Sequence, residues 1–206
     1  MKGRQAHAAL PESGADALQA ATGVLTALYA ERKRLAKRKS KQPGIGSAKL
    51  TVGLISGGIN TNVVPDRIVM RLDRRLIPEE NGAKVEKALI ALIKRAAKGK
   101  GISVDCRRVI LAEPLKPIAG IERLVEPLTR HGKRELKTKI AVKGVPLYTD
   151  ARHYAARKIP IVLYGAGPRT ILEANAHNAN ENLRLKDLKA ATKIVALAVR
   201  DVLTTG

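Results

Sequence analysis

Apolar residues recur along the first hundred positions with two different periods, which predict alternating helices and strands. Between residues 14 and 38 they are spaced three or four apart, as on one face of a helix. Residues 48–56 and 66–76 alternate apolar and polar side chains, as half-buried strands do. A second helical stripe covers about 79–98, and residues 102–111 read as a further strand.

The alternation within each strand predicts which side chains the core covers. In the first strand Leu50, Val52 and Leu54 should share one face. In the second strand Ile68, Met70 and Leu72 should face one way, whereas Arg71 and Arg75 lie on the opposite face. If residues 1–9 hold the end of an earlier strand, the order over 1–112 is βαββαβ, which is a ferredoxin-like sandwich.

Three prolines between residues 114 and 127 mark a change in the pattern. Beyond the first two of them we predict a helix at 118–131, and later a short helix that Asp150 caps. A buried strand at 159–164 should end in a glycine-rich loop, and a last helix should span 185–203. Residues 113–206 therefore look like α/β material, although too little of it for a complete sheet domain.

Composition narrows the class of protein. Apolar residues make up 45% of the 206 positions, and without Phe or Trp the core must consist of aliphatic side chains. The net charge of +21 fits nucleic acid, an anionic membrane or an acidic substrate, and does not choose among them. With one cysteine, no apolar run near the ~18 residues of a membrane span and no signal region, we expect a cytoplasmic protein without a membrane segment.

Four segments carry the candidate chemistry. They are Gly-Arg-Gln-Ala-His-Ala-Ala-Leu-Pro at 3–11, Asn-Val-Val-Pro-Asp at 62–66 with Asp-Arg-Arg at 73–75, Thr-Asp-Ala-Arg at 149–152, and His-Asn-Ala-Asn-Glu at 177–181. In this order and spacing they resemble the zinc amidohydrolases and metallopeptidases that include acetylornithine deacetylase, succinyl-diaminopimelate desuccinylase, aminoacylase and carboxypeptidase G. The resemblance covers nearly the whole chain, but only the C-terminal half of a family member.

The resemblance implies an α+β fold of two parts. Residues 1–112 would be a ferredoxin-like βαββαβ dimerisation or lid domain, and residues 113–206 the C-terminal part of an α/β zinc-hydrolase catalytic domain. A complete enzyme of this family would form a homodimer through the lid and use zinc, cobalt or manganese. It would hydrolyse small N-acyl amino acids or related amides.

The resemblance also implies roles for particular residues of the first part. His7 would cross the dimer and stabilise the tetrahedral oxyanion in the partner's active site, where Asn62 would donate from its amide. Arg75 would bind the substrate carboxylate, for which a planar guanidinium is well suited. Arg74 would be a solvated strand charge. Read without the resemblance, His7 is a loop histidine that binds nearby backbone, and Asn62 is a turn residue.

In the second part His177 would be a metal ligand, with Glu181 as its partner or as a helix-start charge. Thr149 and Asp150 would contact the substrate. Gly165 and Gly167 would let backbone N–H groups approach it closely. His131 and His153 match no motif, and we expect both at the surface.

Family members also carry an N-terminal region with a His-x-Asp pair, a bridging Asp and adjacent Glu residues, and this sequence contains no such segment. We therefore expect a fragment, a shortened reading frame or one half of a split enzyme, inactive alone because a catalytic zinc needs about three protein ligands. The alternative is a basic ferredoxin-like nucleic-acid-binding or interaction module. Without sheet aromatics on which bases could stack, we expect no specific nucleic acid.

Overall fold

A computed structural model describes residues 1–116, 118–168, 170 and 172–204. The chain forms two compact units, one of Met1–Pro114 with Gly144–Pro146 and the other of Leu115–Lys143 with Leu147–Gly206. The first contains α1 (Ala17–Ala36), β1 (Lys49–Gly57), β2 (Ile68–Arg75) and α2 (Gly82–Ala96). The second contains α3 (Glu122–Leu136), α4 (Ala151–Ala156) and α5 (Leu185–Thr204). The predicted α+β class is confirmed.

Helix α1 begins and ends where its sequence allows. The Asp16 carboxylate accepts hydrogen bonds from the backbone N–H groups of Leu18 and Gln19, which would otherwise lack partners at a helix start. Lys33 and Arg34 occupy the last turn, where positive charge offsets the helix dipole. The buried residues of α1 follow the predicted stripe: Ala17, Ala20, Ala21, Val24, Leu28 and Leu35.

Strands β1 and β2 pair antiparallel, with Leu50 opposite Arg74 and Val52 opposite Leu72. A bulge between Val52 and Leu54 then shifts the register, so that Leu54 lies opposite Arg71. One extra residue transfers all later side chains to the other face. The prediction that Leu54 shares a face with Leu50 and Val52 is therefore wrong.

The N-terminal residues complete the sheet at its centre. Lys2 makes antiparallel bridges to Arg67 on one side and to Ser103 on the other. The order across the sheet is thus β1, β2, residue 2 and residue 103, as the ferredoxin-like arrangement predicts. The strand predicted at 102–111 is shorter than expected, because only Ser103 takes part in a bridge.

Both helices of this unit cover the same face of the sheet. The buried cluster includes Val24 and Leu28 from α1 and Leu50 from β1, and Leu89 and Leu92 from α2 pack against it. Burying one such aliphatic side chain contributes about 1.5–3 kcal/mol. The opposite face is open, and the odd-numbered residues of β2 on it are exposed.

In the second unit α3 packs against α5. The strand predicted at 159–164 is absent, because the described residues of this unit include no other strand with which it could pair. Helix α4 follows Asp150 as predicted, but the Asp150 side chain makes no cap hydrogen bond. Its backbone is helical rather than extended, and a capping side chain needs the extended form. Among the described residues, no helix is long and apolar enough to cross a membrane.

Candidate catalytic and substrate-binding residues

The segments that carry His7 and Asn62 lie side by side in the first unit. His7 bridges Val63 in antiparallel fashion, and the backbone N–H of Ala8 donates to the carbonyl of Asn62 at 2.9 Å. A second bond, from Val64 N–H to the Ala6 carbonyl at 2.9 Å, fixes the register. The two residues are 55 positions apart in the sequence, and these backbone bonds bring them together.

The imidazole of His7 is exposed and held by one local contact. The backbone N–H of Ala9 donates to Nδ1 of His7 at 3.1 Å. Because Nδ1 accepts this bond, the proton of the neutral ring resides on Nε2. The ring therefore presents an N–H donor to solvent. The contact with the Ala9 backbone is also what we expect of a loop histidine that only binds nearby backbone.

Asn62 differs from the neighbouring Asn60. The Asn60 side chain accepts hydrogen bonds from Thr61, as a turn-forming asparagine does. The exposed Asn62 amide makes no side-chain hydrogen bond to any described residue. It is thus available as a donor on the same side of the unit as the loop of His7.

Arg74 and Arg75 occupy opposite faces of β2. Arg75 is exposed on the open face, where its Nε donates to Asp73 Oδ1 at 2.8 Å. Arg74 lies on the helix-covered face and contacts the carboxylate of Glu80 at 2.6 Å. The prediction that Arg74 is a solvated strand charge is therefore wrong.

Glu80 is 4% exposed and was missed in the sequence. Besides Arg74, its carboxylate contacts Arg38 at 3.1 Å and accepts the backbone N–H of Ile77 at 3.1 Å. The carboxylate thus joins the end of α1, the end of β2 and the turn before α2. A glutamate three residues from an apolar Ile is too common a pattern to reveal such a site.

In the second unit Thr149 and Asp150 lie directly before α4. The guanidinium of Arg152 stacks 4.5 Å from the centroid of the Tyr148 ring and also contacts the Tyr148 hydroxyl. Arg152 Nε is buried without a hydrogen-bond partner among the described residues. The Thr-Asp-Ala-Arg segment therefore holds its arginine against a neighbouring aromatic ring.

Gly165 and Gly167 lie in an open part of this unit. A methyl group added to Gly165 would meet only the backbone N of Gly167 at 4.0 Å, and one added to Gly167 would meet nothing within 4 Å. Neither residue has a positive φ. Space beside the backbone is present, whereas the local conformation does not itself require glycine.

His177 lies on an exposed turn with a φ of 63°, a left-handed conformation that is uncommon for histidine. Its backbone N–H donates to Glu181 Oε2 at 3.0 Å, so Glu181 positions the backbone rather than the ring. No group of three His, Cys, Asp or Glu side chains suited to a metal occurs in the described part of the chain. Since a catalytic zinc needs three ligands, these residues alone do not fit a zinc centre.

The exposure of His131 was predicted wrongly from the sequence. It is 7% exposed, and its Nε2 lies 2.6 Å from Asp201 Oδ2. The hydrogen bond between these two side chains joins α3 to α5. This hydrogen bond, with that of Arg200, lowers the pKa of Asp201 to about 2. The expectation of a surface histidine is wrong for His131 and right for His153, which is exposed.

Comparison with known families decides the assignment of the first unit. Residues 1–101 match the peptidase dimerisation domain of the M20 family. These residues are an M20 peptidase dimerisation domain. The dimerisation domain includes His7, Asn62 and Arg75, and the resemblance to the zinc amidohydrolases and metallopeptidases is confirmed.

A curated relative extends the similarity to an enzyme. Over 107 residues the chain is 34% identical to N-acetyl-L-cysteine deacetylase from Bacillus subtilis strain 168. The alignment covers 52% of this chain and 24% of the deacetylase. The chain thus matches about a quarter of that relative's length.

Solved structures share the fold over a longer range. An aminopeptidase from Bacillus cereus ATCC 10987 superposes with a TM-score of 0.65 and 21% identity, covering 98% of this chain and 50% of its own. An M20 family metallo-carboxypeptidase from Sulfolobus solfataricus superposes with a TM-score of 0.58 and 18% identity. The match covers 85% of this chain and 42% of the carboxypeptidase. The chain therefore spans half or less of these proteins, and at such identities the likeness concerns the fold.

Proposed function

We propose that this chain is the lid and the C-terminal catalytic segment of a metal-dependent amidohydrolase that acts on N-acyl amino acids or related amides. The observation that carries the proposal is the pairing of the backbone segments that contain His7 and Asn62. Two side chains with free N–H donors extend from adjoining segments of a dimerisation domain, and both are exposed. Similarity to a deacetylase of N-acetyl-L-cysteine supports an acyl amino acid as the substrate class.

His7 and Asn62 would act on the charge that develops during amide hydrolysis. When a nucleophile adds to the amide carbonyl, its oxygen becomes an oxyanion, and fixed N–H donors stabilise that charge. Nε2–H of His7 is available because Nδ1 is engaged by the Ala9 N–H. We infer that both donors serve the active site of a partner subunit, since they belong to the dimerisation domain.

Arg75 would bind the carboxylate of the substrate. Its guanidinium is exposed on the open sheet face and holds Asp73 through Nε. A bidentate pair with a substrate carboxylate would need two parallel N–H donors. The terminal nitrogens of Arg75 make no hydrogen bond or ion pair to another described side chain, and they remain available for this contact.

His177 would contribute one ligand to a metal whose other ligands come from outside the described residues. Zinc, cobalt or manganese would supply a Lewis acid for the amide carbonyl. Thr149, Asp150 and the backbone at Gly165 and Gly167 would position the substrate. The open space beside both glycines supports this role. The single cysteine, Cys106, supports a reducing, cytoplasmic location.

The partner would be a second copy of the chain. Strand β1 lies at the edge of the described sheet, and Leu54 and Ile55 are exposed there. An unpaired edge with exposed apolar residues favours pairing with another chain. We therefore infer that the homodimer forms through the lid and uses this edge.

A chimaera tests the catalytic role of the lid. Residues 1–101 would replace the aligned region of the Bacillus subtilis deacetylase, and hydrolysis of N-acetyl-L-cysteine would be followed. We expect His7→Ala to lower kcat about 10²–10³-fold, the usual cost of removing one oxyanion donor. Asn60→Ala is the control, because its side chain serves only the local turn. Equal activity of the His7→Ala and Asn60→Ala chimaeras would refute the assignment.

A further inference from the structure

The last turns of α1 and the residues directly after it are strongly basic. Seven of the ten residues at 32–41 are Lys or Arg, and all seven are exposed. A helix C-terminus carries the equivalent of about half a negative charge, so the dipole accounts for only a small part of this density. The cations must otherwise repel one another, which costs stability unless a partner neutralises them.

The carboxylates at this end of the unit are already engaged. Glu31 pairs with Arg34 at 2.6 Å, and Glu80 is buried against Arg74 and Arg38. Glu79 accepts the backbone N–H of Lys41 at 2.7 Å and the hydroxyl of Ser40 at 3.0 Å. The remaining cations of the segment have no carboxylate within 4.0 Å among the described residues.

A strand end joins the same surface. Lys39 bridges Ser47, and Lys49 Nζ donates to Ser47 Oγ at 3.0 Å, so both lysines lie beside one residue. In β2, Arg75 lies directly opposite Lys49, and like charges at such positions are destabilising. We define the basic end by its six exposed cations without a carboxylate partner among the described residues: Arg32, Lys33, Lys37, Lys39, Lys41 and Lys49.

We propose that the basic end binds the phosphate backbone of double-stranded nucleic acid without regard to sequence. A duplex presents one negative charge per ~1.7 Å of its axis, which an irregular array of cations can neutralise in many registers. Backbone binding of this kind needs no aromatic side chains, in contrast to the reading of single-stranded bases. The absence of Phe and Trp from the chain is therefore compatible with it.

Other partners fit the surface less well. Membrane attachment by a helix requires apolar side chains that enter the bilayer, but Leu35, the large apolar side chain among residues 32–41, is buried in the core. A second copy of the chain would add 39 basic and only 18 acidic residues, so it cannot neutralise the basic end. A nucleic acid supplies the required charge, and its binding is independent of the catalytic proposal.

The test uses the full chain and a fluorescein-labelled 20-base-pair duplex, followed by fluorescence anisotropy. We compare Lys33→Gln/Lys37→Gln/Lys39→Gln/Lys41→Gln with a control of equal net charge, Lys87→Gln/Lys94→Gln/Lys98→Gln/Lys100→Gln. The control lysines are equally exposed but belong to α2 and to the loop after it. Circular dichroism confirms that both variants are folded.

At ~50 mM salt we expect the basic-end variant to bind at least about tenfold more weakly than the native chain, and the control less than about threefold. The slope of log K against log salt should fall by about 0.9 for each lost phosphate contact, and a scrambled duplex should bind equally. An equal loss in the control, or no native binding at ~50 mM salt, would overturn the proposal. So would tighter binding to phosphatidylserine vesicles or to polyglutamate at the same concentration of charge.

Discussion

Arg74 places its guanidinium 2.6 Å from the buried carboxylate of Glu80, while the next residue along β2, Arg75, is exposed on the opposite face. Two adjacent residues of one type thus have different surroundings. Arg74 joins secondary-structure elements, whereas Arg75 contacts Asp73 on the open face of the sheet. Their separation follows from the two-residue period of a strand.

This difference predicts unequal losses of stability. Arg74→Leu should lower the free energy of unfolding by about 3 kcal/mol, because it leaves a buried carboxylate with fewer partners. Arg75→Leu should change it by less than about 0.5 kcal/mol, as for most exposed positions. Urea unfolding followed by circular dichroism measures both. Equal losses of unfolding free energy in the two variants would show that the contact between Arg74 and Glu80 does not stabilise the fold.

The hydrogen bond between His131 and Asp201 predicts a pH dependence of stability. The pKa of Asp201 falls from 3.8 to about 2 in the folded chain, so its contribution to stability is complete above pH 3.8. That contribution is lost as the pH falls from 3.8 through 2, because the unfolded state then binds a proton that the folded state does not. Asp201→Asn should therefore lower Tm at pH 5 and have little effect near pH 2. Asp150→Asn, an exposed control, should show no such trend.

The backbone at the end of β1 predicts a strict requirement for glycine. At Gly57 φ is 147°, and an added methyl group would lie 2.1 Å from the Arg67 carbonyl oxygen. Gly57→Ala should cost about 2 kcal/mol or more. Gly53, at the bulge, has no neighbour within 4 Å, so Gly53→Ala should be neutral or mildly stabilising. Thermal unfolding of the two variants separates these outcomes.

The proposed dimer predicts an effect of charge at the sheet edge. Ile55→Lys should shift the chain from dimer to monomer in size-exclusion chromatography with light scattering, because a lysine on an edge strand opposes pairing. Val69→Lys is the matched control, since Val69 is also exposed but lies on β2, which is paired with β1. A native chain that is monomeric at high micromolar concentration would contradict the dimer.

The isolated chain should show no measurable hydrolysis of N-acetyl amino acids with zinc or cobalt. His177 is one candidate ligand, and the described residues offer no three-ligand cluster. Accordingly, His177→Ala should leave the background rate unchanged. If the native chain hydrolysed these substrates and His177→Ala abolished the activity, the chain would contain a complete site. That result would overturn the proposal that the other metal ligands come from outside the described residues.

The sequence by itself determined the elements that local periodicity specifies. The stripe of α1 and the alternation of β2 follow from side-chain spacing, and the structure places them accordingly. The four motifs around His7, Asn62, Asp150 and His177, in their order and spacing, indicated the family. Each of these signals is a pattern of the sequence itself, so no contact between distant residues is needed to interpret it.

Only the tertiary structure decided which polar groups meet. The bulge that moves Leu54 to the open face depends on pairing with β2, and the burial of Glu80 depends on three elements that converge on it. His131 is buried because Asp201, 70 positions later, lies against it across α3 and α5. The strand predicted at 159–164 is absent because a strand exists only where a neighbour satisfies its backbone. Such outcomes depend on partners that are distant in the sequence, and local patterns do not encode them.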